Sequence, residues 1–351
     1  AFSAVDYVCA LLERIQQAND HLHAFVSLSP ESALRSAQRA DRRRAAGLSL
    51  PPLHGLPFAV KDLIDVRGTR TSAHSRLCAE AASKTAAAVL RLQRKGGIYL
   101  GKLALEEFGI GSPLDDLAWP SPRNPWDRSR TPGGSSSGSA VALAAGLVPL
   151  ALGTDTGGSV RAPAAYCGLV ALKPTDKRVS MRGVVPLAPT LDTIGPMARS
   201  AADCALLFSG LTGSKPGGGF NASKIGAVDI GSADPSVDTD VVDAMAAALK
   251  ALESLGARIA EADFPHFDLA REIGEAILGH EAYAIHRERL TRDAHLYGDT
   301  CRRRLEAGAK VGTDAYAGAL KGREQLRIQV DQLLEKRRAC HACHLRGGGT
   351  L

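Results

Sequence analysis

The sequence predicts an α/β fold in which helices pack on a β-sheet. Of the 351 residues, 45% are hydrophobic and 23% are charged, which is typical of a folded chain with a sizeable core. Aromatic residues make up only 5%, and Ala, Leu and Val dominate the apolar set. Amphipathic segments alternate with short apolar runs along the first half of the chain, and this alternation indicates helices layered on a sheet.

The first elements are two helices. Residues 5–18 carry apolar side chains at helical spacing, which predicts an amphipathic helix. Residues 31–46 predict a second helix with a solvated, Arg-rich face, and the Pro51-Pro52 pair ends this region.

Short buried strands and helices follow. A strand over 58–60 delivers Lys61 at its end, and the helix over 86–95 is closed by Gly96-Gly97. Further along we predict a strand over 98–101, a loop over 111–134, a small-residue helix over 139–147 and a strand over 147–152. Because these elements alternate, we expect chemistry at the strand ends, where ligands bind in α/β sheets.

The glycine-rich segment 213–219 is the clearest break in composition, and it predicts a linker or a long loop. Beyond it we predict a strand over 224–228, and helices over 241–255, 273–305 and 320–337.

Charge and cysteine usage narrow the functional classes. The formal net charge is +6, but the basic residues are scattered, so a nucleic-acid partner is not favoured. Seven widely spread cysteines form no disulfide framework, which predicts a reducing, cytoplasmic location. No apolar run of spanning length and no signal peptide are evident, so we expect neither a membrane protein nor a secreted one.

Two glycine-flanked serine blocks carry the chemistry. The first is residues 133–139, with sequence GGSSSGS, and the second is residues 153–161, with sequence GTDTGGSVR. Neither block has a histidine beside it, so an unprotonated lysine is the natural base for a serine nucleophile. Glycines let the backbone approach a substrate and aim N–H groups at one point, as an oxyanion hole requires. The blocks therefore indicate acyl transfer.

These motifs resemble the amidase signature family. The shared elements are GGSS at 133–136, GTDTGGS at 153–159, Pro163-Ala164, Cys167-Gly168 and LKPT at 172–175. Residues 55–62 and 191–196 also match. The resemblance covers roughly residues 5 to 265 and is strongest over 53–210. It implies a single large domain with a mixed, twisted sheet covered by helices.

The resemblance also implies residue roles. Ser159 resembles the acylated nucleophile, Ser135 the bridging serine that follows a cis peptide bond, and Lys61 the base. The N–H groups of Thr156, Gly157, Gly158 and Ser159 resemble the oxyanion hole. Lys61 must be neutral to accept a proton, so burial has to lower its pKa.

Other polar residues have structural interpretations. We expect Asp155 and Arg161 to brace the nucleophile turn, and Asp62 and Asp192 to have structural roles. Cys167 is interpreted as a small buried residue. His74 is interpreted as a surface histidine, or one with satisfied hydrogen bonds, in preference to a general base.

The C-terminal part departs from the family. We predict a catalytic core over 53–210, a helix-rich substrate-side part over 220–337 and an atypical tail over 338–351. Family members usually continue further, so the C-terminal part is expected to be short. The tail contains CHACH at 340–344, which matches a haem-attachment pattern, but its surroundings favour neither haem nor metal.

The sequence thus predicts a cytoplasmic amidase that hydrolyses a small carboxylic amide to acid and ammonia, without cofactor or metal. A homodimer stays open. The alternatives are the ammonia-producing subunit of a tRNA-dependent amidotransferase, which would need partner subunits, and an inactive, truncated family member.

Overall fold

The structure is a computed structural model, and it describes residues 2–78, 80–110, 119–214, 224–227, 237–262, 267–336 and 338–340. The described residues of Ala1–Pro216 and Glu281–Ala307 form one compact unit. Those of Gly217–His280 and Gly308–Gly349 form a second.

The first unit is built on a six-stranded mixed sheet. Its strands are β1 (Phe25–Leu28), β2 (Pro57–Lys61), β3 (Ile98–Leu103), β4 (Leu150–Asp155), β5 (Val170–Ala171) and β6 (Thr193–Ala198). Their order in the sheet is β1-β3-β2-β4-β6-β5. The three central strands β3, β2 and β4 are parallel, and the outer pairings are antiparallel.

The strand order creates a switch point at β2. The next strand in the chain, β3, lies on one side of β2, whereas β4 lies on the other. The carboxyl ends of β2 and β4 therefore meet at one edge of the sheet, where Lys61 ends β2 and Asp155 ends β4. Such an edge is where open α/β sheets bind ligands.

The helices of the first unit begin with α1 (Ala4–Leu22), α2 (Pro30–Ala45), α3 (Ala87–Arg94), α4 (Ser137–Ala144), α5 (Arg161–Tyr166) and α6 (Ala201–Thr212). Local chemistry sets several of their starts. Ser3 caps α1 in a reciprocal capping box with Asp6, and Ser200 caps α6. Pro30 occupies the first turn of α2, where a missing N–H costs nothing.

Alternating side chains give the sheet two apolar faces. Ala59 and Leu100 pack on one face against α1, α2 and α4. Phe58, Val60 and Tyr99 pack on the other face against α3 and α6. Because side chains alternate along a strand, Lys61 follows Ala59 onto the face that α4 covers.

The second unit contains a three-stranded parallel sheet in the order β8-β7-β9, formed by β7 (Lys224–Ala227), β8 (Arg258–Glu261) and β9 (Arg338–Cys340). Its helices are α7 (Thr239–Ser254), the first part of α8 (Phe267–Asp293) and α10 (Thr313–Lys336).

The part of α8 from Glu281 onward belongs to the first unit, as does α9 (Asp299–Gly308) except for its last residue. Glu281 accepts hydrogen bonds from the N–H and hydroxyl of Thr190, at 2.9 and 2.5 Å. The buried carboxylate of Glu107 accepts one from the Gly298 N–H at 2.8 Å. Gly298 is thereby bonded to the segment that follows β3, and Glu281 to the segment that precedes β6.

The α/β prediction is confirmed, and most predicted elements occur within a few residues of their expected bounds. The strand predicted over 147–152 begins later, because Gly146 adopts positive φ after α4 and the chain straightens only at Leu150. The helix predicted over 273–305 is interrupted between α8 and α9, where the Gly298 N–H bonds to Glu107.

Some predictions fall outside the described residues. They include most of the glycine-rich segment 213–219, residues 111–118 of the predicted loop, and most of the CHACH tail. The domain boundaries predicted from sequence remain predictions.

Replacing Phe58 by Ala should destabilise the first unit. Its side chain is 1% exposed, and we expect a loss of about 4 kcal/mol in the free energy of unfolding, since truncating a core aromatic leaves a cavity. Phe2, which is 67% exposed, is the matched control, and its change to Ala should cost under about 0.5 kcal/mol. Urea unfolding measures both; equal losses would contradict the packing described above.

Candidate active site

Lys61 is fully buried at the carboxyl end of β2. Its Nζ lies 2.8 Å from the Ser135 hydroxyl and 2.9 Å from the Thr154 hydroxyl. Burial lowers the pKa of Lys61 to about 7, although nearby carboxylates, Glu106 first among them, favour its charged form. A large fraction of Lys61 is therefore neutral near neutral pH and can accept a proton.

Ser135 lies in the loop that leads into α4. It follows a cis Gly134-Ser135 peptide bond, as the family resemblance implied, and its side chain is buried. The next residue, Ser136, donates its N–H to the Ser159 carbonyl at 3.1 Å and its hydroxyl to the Thr154 carbonyl at 3.2 Å. These bonds join the two serine blocks and place both beside the end of β4.

The Ser159 turn is held by Asp155. This buried carboxylate accepts the N–H groups of Gly158 and Val160 at 2.8 and 3.2 Å, and two guanidinium bonds from Arg161 at 3.1 Å. Burial alone would raise the pKa of Asp155, but Arg161 and the two N–H groups bring that pKa below its usual value. The prediction that Asp155 and Arg161 brace this turn is confirmed.

The place of the Gly158 N–H in the oxyanion hole stays a prediction, but this N–H has a hydrogen-bond partner in the structure. It donates to Asp155, because a buried carboxylate requires several donors. Thr156, Gly157 and Ser159 are the other candidate N–H donors. The Thr156 hydroxyl donates to Asp192 at 2.6 Å, and Asp192 accepts the N–H groups of Leu187 and Ala188. Asp192 thus has the expected structural role at the rim of this turn.

A second buried lysine lies behind the site. Lys102 makes a 3.0 Å ion pair with Asp62 and also donates to the Ile64 carbonyl and the Thr71 hydroxyl. Asp62 also accepts from the N–H and hydroxyl of Ser72. The structural role expected for Asp62 is confirmed. Lys102 was not identified from sequence, although a lysine inside the apolar run YLGKLAL signals a buried partner.

His74 and Cys167 lie outside the catalytic arrangement. His74 is buried, contrary to a surface position, and its Nδ1 contacts the Leu105 carbonyl. Burial lowers the pKa of His74 to about 4 and raises that of the Cys167 thiol to about 12. Both groups are therefore uncharged at neutral pH, which suits packing.

Glu106 is a site residue that sequence reasoning missed. Its side chain lies against Gly134, directly before Ser135, and its charge acts on Lys61. Its position in the sequence could have indicated this role, because Glu106 follows the end of β3 by three residues, at the same sheet edge as Lys61.

Among the described residues, no helix is long and apolar enough to cross a membrane, and no cluster of His, Cys, Asp and Glu has an arrangement suited to a metal ion. Cys9, Cys78, Cys167 and Cys204 are free thiols.

The comparisons with known proteins agree on one family. The family model described as Amidase matches residues 6–342. A glutamyl-tRNA(Gln) amidotransferase subunit of Chromohalobacter salexigens is 42% identical over 286 residues, which cover 77% of this chain and 59% of that protein. The corresponding protein of Chloroflexus aurantiacus is 48% identical over 182 residues, covering 52% and 37%. The chain thus spans about half the length of these curated relatives.

Solved structures agree with the fold. One described as "Crystal structure of amidase" superimposes with a TM-score of 0.87 at 32% identity, covering 96% of this chain and 77% of that one. The native peptide amidase from Stenotrophomonas maltophilia gives a TM-score of 0.76 at 29% identity, covering 91% and 75%.

Replacing Lys61 by Met should change how stability depends on pH. Burial lowers the folded-state pKa of Lys61 to about 7, so the unfolded chain binds this proton more tightly and the wild type gains stability as pH rises. Relative to the variant, we expect the wild-type free energy of unfolding to increase by about 2 kcal/mol between about pH 7 and about pH 9.

Urea unfolding at the two pH values measures this difference. The exposed Lys84 provides the control, since its change to Met should leave the wild-type pH dependence intact. Parallel pH curves for the wild type and Lys61→Met would show that burial does not lower the lysine pKa.

Proposed function

This chain belongs to the amidase signature family, and we propose that it hydrolyses a carboxylic amide to the acid and ammonia through an acyl-enzyme on Ser159. The observation that carries the proposal is the 2.8 Å contact between the buried Lys61 amine and the Ser135 hydroxyl. The bond from the Ser136 N–H to the Ser159 carbonyl supports a relay, because it fixes the second serine block beside the first.

In the first step, Ser159 Oγ forms a bond to the amide carbonyl carbon. Its proton passes to Ser135, whose own proton passes to the neutral Lys61 amine. The carbonyl π electrons move to oxygen, and the N–H groups of Thr156, Gly157 and Ser159 stabilise this oxyanion.

In the second step, the oxyanion electrons re-form the carbonyl as the carbon–nitrogen bond breaks and its electron pair leaves with nitrogen. Lys61 returns the proton through Ser135 to that nitrogen, so ammonia departs as a neutral molecule. A water molecule then attacks the acyl-Ser159 ester by the same relay, which releases the acid and restores the Ser159 hydroxyl. Because the relay needs neutral Lys61, the rate should fall as pH decreases below about 7.

Ser159→Ala and Lys61→Ala test this mechanism. We expect each to reduce ammonia release at least about 1,000-fold, since removing a nucleophile or its base eliminates most of the catalysis. The assay is ammonia release over a panel of aryl-acetamides, aliphatic amides and urea-like amides. Covalent labelling by a fluorophosphonate should disappear in Ser159→Ala.

Ser137→Ala is the matched control from the same serine cluster. The Ser137 hydroxyl is buried and makes no hydrogen bond to any other described residue, so its loss should leave turnover within a few fold. Labelling that survives in Ser159→Ala would contradict Ser159 as nucleophile. A wild-type chain that neither labels nor turns over would favour the inactive alternative.

A second candidate is ammonia production from glutamine for a tRNA-dependent amidotransferase. The curated relatives that are named as components of such enzymes favour it, at 42% identity over most of this chain. The chemistry of the acyl-enzyme would be the same, whereas the ammonia would pass to another protein of the complex.

The two candidates differ in their need for a partner. If the chain is part of an amidotransferase, we expect L-glutamine hydrolysis to increase at least about tenfold when proteins that co-purify with it are added. The measurement is glutamate formation by the chain alone and in the complex. Efficient turnover of simple amides by the isolated chain, with no stimulation, would count against this role.

A further inference from the structure

Glu106 lies outside the two serine blocks in sequence, but its backbone and its carboxyl group contact the loop that carries Ser135. Its N–H donates to the Ser135 carbonyl at 3.2 Å, and its own carbonyl accepts the Gly109 N–H at 2.8 Å. Its carboxyl group lies over Gly134, where an added Cβ would come within 2.9 Å of Oε2 and closer still to Oε1. The absence of a side chain at Gly134 therefore gives this carboxyl its place beside Ser135.

Three carboxyl groups act on the charge of Lys61: those of Glu106, Asp155 and Asp192. Asp155 is neutralised by Arg161 and two N–H groups, and Asp192 accepts hydrogen bonds from one hydroxyl and two N–H groups. The Glu106 carboxyl accepts no hydrogen bond from another described residue, and the charged groups acting on it are Lys61 and Arg304. Its charge is thus the least compensated of the three.

The relay creates a charge that needs compensation. When Ser159 attacks, a proton reaches Lys61 and an ammonium forms in a buried site. An isolated buried ammonium is strongly disfavoured, whereas a carboxylate nearby offsets much of that cost. Burial raises the pKa of Glu106 to about 7, so its carboxylate form, which can offset this charge, predominates above neutral pH.

We propose that Glu106 is a positioning residue whose carboxylate stabilises protonated Lys61 during acylation and deacylation. The proposal rests on the proposed function, since it assumes that Lys61 accepts the proton. The Glu106 charge favours the protonated lysine, so its removal must make Lys61 harder to protonate. Burial raises the pKa of Glu106 itself, and the nearby charges of Lys61 and Arg304 oppose that rise.

The first test is the pH dependence of fluorophosphonate labelling in wild type and Glu106→Gln. In this reaction the Ser159 oxygen–phosphorus bond forms, fluoride leaves and the proton moves to Lys61. We expect the acidic limb of the variant to move about one unit to lower pH, because its lysine loses the charge that favours protonation. We expect the plateau rate to fall about tenfold, because the ammonium then lacks its counter-charge.

Two further variants separate charge from structure. Glu106→Asp keeps the charge and should retain most of the wild-type pH profile. Glu107→Gln removes a neighbouring buried carboxylate that bonds to Ser75 and Gly298, so it should affect stability without moving the acidic limb. If Glu106→Gln does not fold, as judged by circular dichroism, Glu106→Asn compared with Glu106→Asp isolates the same charge.

The second test observes Lys61 directly and needs no turnover. In a chain labelled with carbon-13 at lysine Cε, the Lys61 resonance is assigned by its loss in Lys61→Met and followed through a pH titration. The midpoint should be about one unit lower in Glu106→Gln. An unchanged midpoint and an unchanged acidic limb would overturn the role of Glu106. Labelling that persists in Ser159→Ala would instead overturn the proposed function.

Discussion

The burial of Lys61 is the constraint on which the rest of the site depends. An amine in a dry position at the end of β2 loses most of its preference for the charged form. Two hydroxyl groups, from Ser135 and Thr154, surround it where solvent would otherwise be. The parallel pairing of β2 with β4 brings Thr154 beside Lys61. The two serine loops, which the bond from Ser136 to Ser159 joins, cover the rest of this end of the sheet.

The contrast between the two buried lysines explains how one fold uses the same residue type in two ways. Lys102 has a carboxylate partner at 3.0 Å, together with a carbonyl and a hydroxyl, and these acceptors suit a fixed positive charge. Lys61 contacts hydroxyl groups, which can both donate and accept, so either protonation state finds partners. The first lysine holds the loop after β2 in place, and the second is free to change its charge.

Sequence reasoning predicted the α/β class, the strand that carries Lys61 and the two serine blocks, because apolar periodicity and glycine-rich motifs are local signals. It missed β6, since Gly195 and Pro196 disfavour a strand, although β6 pairs with β4 along its full length. It also missed Glu106 and the ion pair of Lys102, whose importance comes from contacts between segments distant in sequence. The bond from the Gly158 N–H to Asp155 was likewise missed, because it depends on the three-dimensional shape of the turn.

The bond between Glu107 and Gly298 joins residues 191 positions apart, and much of the second compact unit is encoded between them. During synthesis the chain must extend well beyond the serine blocks before this contact can form. The sheet and its two apolar faces need only the earlier residues, so they can form before Gly298 is available to bond to the segment after β3. The segment after β3, which carries Glu106 and Glu107, is therefore expected to reach its final position late in folding, after the sheet and its two apolar faces have formed.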